Sequence, residues 1–105
     1  MEPRKYQVGD RLSYQSAYHK VTGTVTRIWE IKPSCFPNGH YRLEITCDAG
    51  QCLSTVSGAE HNFYPAAFWQ VWEGETLRAN QSTRAGAEHY MRPGRVLVGP
   101  GEVRP

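Results

Sequence analysis

The residues that most restrict this chain are His61-Asn62-Phe63-Tyr64-Pro65-Ala66-Ala67-Phe68-Trp69-Gln70-Val71-Trp72. Five of the chain's twelve aromatic residues fall in this stretch, on either side of one proline. Proline fixes φ and has no N–H to donate, so Pro65 suits the step between two strands rather than the middle of one. The spacing predicts a strand reaching Tyr64, a tight turn or single 3₁₀ turn over Pro65-Ala66-Ala67, and a short strand over residues 69–72. The upstream residues then have to supply the strands that these aromatics cover.

Upstream, Val8-Gly9-Asp10-Arg11-Leu12 reads as a turn opening a first strand. Residues 13–20 read as a polar loop carrying Tyr14, Tyr18, His19 and Lys20. Residues 21–31 are rich in β-branched side chains and form the second strand. Their alternation slips between Val25 and Ile28, downstream of Gly23, which predicts a bulge or sharp bend. Pro33, Pro37, Asn38 and Gly39 mark a loop over 32–40. Tyr41, Leu43, Ile45 and Cys47 then alternate with Arg42, Glu44, Thr46 and Asp48, the cleanest period-two pattern in the chain. A loop at 48–51 returns it into a fourth strand opening at Cys52, and residues 57–60 break the pattern. No segment before Trp72 sustains helical spacing. Short strands in this order predict an all-β fold, an SH3-like five-stranded small barrel over residues 1–73.

Residues 74–105 differ in kind. Gly74, Gly86, Gly94, Gly99 and Gly101, with Pro93, Pro100 and Pro105, predict a long, partly irregular and loosely attached extension. Residues 83–91 have room for two helical turns, and Arg95-Val96-Leu97-Val98 for an edge strand added to another element or another subunit. The charge is uneven as well. Residues 1–73 carry seven Lys/Arg and seven Asp/Glu, so the net charge of +2 sits wholly in the extension. A charge that small is no evidence for nucleic acid by itself.

At 105 residues the chain is one domain with an extension. No stretch has the length of a membrane span and the N-terminus has no apolar run of a signal peptide, so a cytoplasmic protein is expected. Three cysteines, an odd number, argue against a disulfide-stapled fold. Cys47 and Cys52 flank a hairpin loop and read as small buried or half-buried side chains. A zinc site from Cys35, Cys47, Cys52 and His40 or His61 would be the alternative, but no C-x₂-C knuckle supports it. A small domain leaves apolar surface that is hard to bury alone, so a homo-oligomer is expected.

No catalytic signature is present: no G-x-S-x-G elbow, phosphate-cradling glycine loop, H-E-x-x-H or dinucleotide fingerprint. His19, His40, His61 and His89 are scattered through predicted loops. Asn62, Phe63 and Tyr64 would ordinarily fill the barrel or a subunit contact. The functional alternative gathers Tyr14, Tyr18, Trp29, Tyr64 and Trp69 around one groove, helped by Arg27, Arg42 and Lys20. Such a groove would stack bases or hold a flat ligand.

Val8-Gly9-Asp10-Arg11-Leu12, residues 23–29, Gly39-His40-Tyr41-Arg42-Leu43-Glu44 and Phe63-Tyr64-Pro65-Ala66-Ala67 together resemble the plasmid- and integron-borne type II dihydrofolate reductases. The resemblance covers roughly residues 8–73. It implies an SH3-like barrel carried on mobile DNA and assembled as a tetramer around one active pore, with NADPH as cofactor. The family's pore strand is a valine-glutamine-isoleucine-tyrosine run followed by proline. Tyr64 and Pro65 match it, while His61, Asn62 and Phe63 stand at its valine, glutamine and isoleucine. The family's lysine three residues past its Gly-Asp-Arg is Tyr14 in this chain, which removes the charge that attracts a phosphorylated cofactor.

A shared scaffold is therefore expected more than a shared reaction. The expectation is a non-catalytic binding module without cofactor, whose aromatic and basic surface takes a protein or nucleic-acid partner and no membrane. Its ligand residues are Asn62, Phe63, Tyr64, Trp29, Tyr14, Trp69, Arg27, Arg42 and Lys20. The alternative is NADPH-dependent reduction of dihydrofolate in a central pore.

Overall fold

Alternating apolar residues build the first of two sheets in the computed structural model, which describes residues 4–31 and 40–103. Its strands are β1 (Arg11–Gln15), β2 (Lys20–Ile31), β3 (His40–Cys47), β4 (Thr55–Ala59) and β5 (Phe63–Pro65). They lie in the order β4-β3-β2-β1-β5, and every pairing is antiparallel. Residues 20–24 of β2 pair with β1, and residues 23–31 pair with β3. One long strand serves two neighbours because it bends. The register shifts between Val25 and Arg27, at the slip in alternation, and a bulge there raises the local twist. Gly23 permits the close approach that the bend needs, since any Cβ would press on the Thr46 carbonyl.

The sheet curls around Leu12, Val21, Val25, Leu43, Ile45 and Phe63, all nearly sealed from solvent. Each such side chain contributes about 1.5–3 kcal/mol relative to exposure. The result is a small all-β, barrel-like curl of five strands, as the alternation predicts.

Several boundaries differ from expectation. The first polar loop is only residues 16–19, because Ser13 through Gln15 continue β1. Residues 57–59 extend β4, and Gly58 fits beneath the Phe63 ring. The 3₁₀ turn consequently falls at Glu60–Asn62 and not after Pro65. It has to come first, since Phe63 must enter the core. Pro65 ends β5 at the edge of the sheet, where a missing donor is tolerated. Of the loop predicted over 32–40, residues 32–39 lie outside the described residues and His40 already opens β3.

The larger correction concerns the chain beyond Phe68. Residues 69–72 do form a strand, β6 (Trp69–Glu73), yet β6 is not part of the barrel sheet. It is the centre of a second antiparallel sheet, β7-β6-β8, with β7 (Thr76–Gln81) and β8 (Val96–Val98). A short helix, α1 (Arg84–Glu88), packs on it after an N-cap in which the Thr83 side chain accepts a hydrogen bond from Gly86 N–H at 3.1 Å. Most of the supposed tail is thus folded, and the helical turns and edge strand expected within residues 83–91 and 95–98 are α1 and β8. Two of the glycines that suggested irregularity occupy positive φ at its turns, Gly74 at 59° and Gly94 at 86°.

The alternation of β6 explains why this sheet stays on the barrel. Trp69 and Val71 pack with Ala79, Ala87, Met91 and Leu97 on the side of α1. Gln70 and Trp72, both buried, lie on the opposite side by the strand's alternation. That side meets the barrel through hydrogen bonds. Gln51 Nε2 donates to the Thr22 carbonyl at 2.7 Å, and Gln51 Oε1 accepts from Thr22 N–H at 2.9 Å. Gln70 Nε2 donates to Gln51 Oε1 at 3.3 Å, and Trp72 Nε1 donates to Gln70 Oε1 at 3.2 Å. Arg11 adds a second tie: it grips Asp48 through two bonds of 2.6 and 2.7 Å and donates to the Glu102 carbonyl at 3.1 Å.

Candidate nucleic-acid interface

The nine residues expected at one groove separate into different surroundings. Tyr14 packs against the barrel core, its ring 5.6 Å from that of Phe63. Phe63 is buried in that core, Asn62 is exposed at the end of the 3₁₀ turn, and Tyr64 pairs in register with the buried Ser13. These three consecutive side chains do not share a surface. Tyr64 instead meets Phe68 edge-on at 6.0 Å, and burial pushes its phenol pKa up.

Lys20 and Trp69 are also committed to packing. Lys20 Nζ stands 4.8 Å from the Phe68 ring centre and donates to the Asn80 carbonyl at 3.0 Å, while Asn80 Nδ2 donates back to the Lys20 carbonyl at 2.7 Å. Trp69 lies under Arg84 at 5.7 Å on the α1 side of the second sheet. Tyr18, at the tip of the β1–β2 turn, is 91% exposed and stands apart from the others.

Arg27, Trp29 and Arg42 are brought together. Ile28 and Leu43 pair across β2 and β3 with their side chains in the core, so the residues on either side of them face outward. Arg27 lies directly across from Glu44, and Trp29 directly across from Arg42. Trp29 is eight residues along β2 from Val21, the partner of Tyr14, which is roughly 25 Å of strand.

The Arg27 guanidinium turns along its own strand and stacks over the Trp29 ring at 4.6 Å. Neither Arg27 nor Arg42 has an ion pair among the described residues. The remaining outward positions are polar: Thr26, Thr46, Thr55 and Ser57 are exposed, and Thr46 and Thr26 share a hydroxyl hydrogen bond of 3.3 Å. The face therefore carries one indole and two guanidinium groups without ion pairs, with the Glu44 carboxylate across from Arg27 and hydroxyls around them.

Nothing in the described residues gathers three or more metal-ligating side chains. Cys47 and Cys52 are free thiols, Cys47 buried and Cys52 exposed. Burial, with smaller contributions from Cys52 and Asp48, pushes the Cys47 thiol up to about 11, which makes it a poor nucleophile. Cys35 lies outside the described residues. No described helix is long and apolar enough to cross a membrane.

The polar residues at the junction of the sheets were not expected from the sequence. Gln51, Gln70 and Asn80 join the two sheets, and a glutamine between Trp69 and Val71 was the available signal. Asp48, one of the polar residues in the alternation of 41–48, is the anchor for Arg11. No family model, curated protein or solved structure matches the chain.

Proposed function

We propose that this protein is a non-catalytic binding module that holds single-stranded nucleic acid on the outer face of β2 and β3. The observation that carries this reading is the pair of guanidinium groups without ion pairs on either side of Trp29. Splayed bases stack on indole and guanidinium planes, and cations without an internal partner are available to phosphates. Hydroxyls at Thr26, Thr46, Thr55 and Ser57 are suited to phosphate and sugar contacts. A protein partner fits this face less well. Protein interfaces centre on a packed apolar core with a polar rim, and here a single ring stands among polar groups.

The test is anisotropy of a labelled thymidine heptamer titrated with the protein at several salt concentrations. Two phosphate contacts predict a log–log salt slope of about −1.4. Trp29→Ala and Arg42→Ala should each weaken binding about tenfold, within the range that stacking on one aromatic contributes. Binding that ignores both salt and Trp29→Ala would sink the reading. Dihydrofolate-dependent oxidation of NADPH, assayed on the same preparation, would replace it with the reductase alternative.

A further inference from the structure

Glu44 is the odd group on this face. It stands directly across from Arg27, where an ion pair would ordinarily form. Arg27 turns instead onto the Trp29 ring, and the Glu44 carboxylate has no ion pair among the described residues. A carboxylate on a surface meant for phosphates alone would only repel them. It occupies the diagonal position to Trp29, about 7–8 Å away across the two strands and within reach of a long side chain. A base lying flat on the indole–guanidinium stack turns its edge, and not its phosphate, toward that position.

Resting on the proposed function, we infer that Glu44 reads the Watson–Crick edge of the stacked base and makes the site prefer guanine. The chemistry selects among the four bases. An ionised carboxylate only accepts hydrogen bonds and has two oxygens to do so. Guanine alone presents two adjacent donors on that edge, N1–H and the N2 amino group, which match the two oxygens. Cytosine and adenine each offer one amino group beside an acceptor that the carboxylate repels. Thymine offers one N–H between two carbonyl oxygens. Arg27 and Arg42 remain for the phosphates on either side, so the cationic groups supply affinity and Glu44 supplies discrimination.

The experiment compares four heptamers that differ only at the centre: all thymidine, or thymidine with one guanosine, adenosine or cytidine in the middle position. The guanosine heptamer should bind at least fivefold tighter than the other three. Glu44→Gln presents one acceptor and one donor in place of two acceptors. It should bring the ratio of guanosine to thymidine heptamer close to one, while the all-thymidine heptamer gains up to about threefold from the lost repulsion. These opposite changes separate base reading from a structural fault, which would weaken all four heptamers together. If the wild-type protein binds all four heptamers equally, or Glu44→Gln keeps the preference, the guanine assignment falls and the binding face stands. If no heptamer binds, the face itself is wrong and the assignment goes with it.

Discussion

Two cation–aromatic pairs of nearly the same geometry serve different ends in this molecule. Lys20 sits 4.8 Å from the centre of Phe68, and Arg27 sits 4.6 Å from the centre of Trp29. At the first pair the ring is buried and the ammonium is held by the Asn80 carbonyl, so the donors and acceptors close on one another. At the second the ring is half-buried and the guanidinium forms no ion pair among the described residues. The contact type is therefore uninformative. What separates a junction from a presented surface is whether the cation's remaining hydrogen-bonding capacity is met inside the protein. Buried polar groups have to be met, because an unpaired one costs about 1–3 kcal/mol. Surface groups can be left open for a partner.

The sharpest way to break this contrast is to remove the largest side chain at the junction. Trp72 is 1% exposed and crowds the backbone at Gly50, so Trp72→Ala leaves a large cavity between the two sheets. Urea unfolding should register a loss of about 3–5 kcal/mol. Heptamer binding should persist wherever the variant remains folded. An unchanged unfolding midpoint would mean that the second sheet does not depend on the barrel. A smaller effect is expected from Gln70→Ala, which removes the acceptor of the Trp72 Nε1 hydrogen bond and a donor to Gln51 Oε1. The expected cost is about 1–3 kcal/mol in the same measurement, again without loss of binding. Loss of binding in this variant would place the junction within the site.

The same contrast explains how much of the fold was legible in the residues. The barrel was legible because its strands bury one face, and Tyr41, Leu43, Ile45 and Cys47 display that alternation without interruption. The slip after Val25 even located the bulge. The second sheet was hidden because both faces of β6 are covered. Gln70 breaks the apolar run on the side that meets the barrel, so Trp69 through Glu73 reads as the end of one domain instead of the centre of another sheet. Its other strands are short, and the glycines at its turns imitate the composition of a disordered tail. At the site, the outward direction of Arg27, Trp29 and Arg42 comes from the register of β2 on β3. Nothing in residue identity says that Arg27 chooses the ring beside it over the carboxylate across from it. Likewise Tyr14, Tyr64 and Trp69 are as aromatic as Trp29, and only pairing reveals which of them are covered.

Trp29→Ala tests the presented pair from the opposite direction. The side chain is half-buried on an outer face, so its removal should cost about 1 kcal/mol or less in urea unfolding while weakening heptamer binding about tenfold. A stability loss as large as that of Trp72→Ala would show that Trp29 is a packing residue after all.

The smallest effect concerns cations that are paired but exposed. Glu73 bonds Arg95 at 2.9 Å and lies 3.4 Å from Arg78, on the rim of the second sheet. The hydrogen bond from Arg95, helped by the charge of Arg78, holds its carboxyl below the ordinary value of 4.5. A depressed folded-state pKa means that the unfolded chain binds the proton first. The stabilisation is therefore present above pH 4.5 and is lost as pH falls through the folded-state value. Since the group is exposed at the surface, solvent screens most of it. The difference in unfolding midpoint between wild type and Glu73→Gln should be small at pH 7 and shrink further below pH 4. A difference that grows on acidification would reverse the sign and show that Glu73 is strained where it sits. A large difference at neutral pH would show that satisfaction alone, without burial, makes a cation structural.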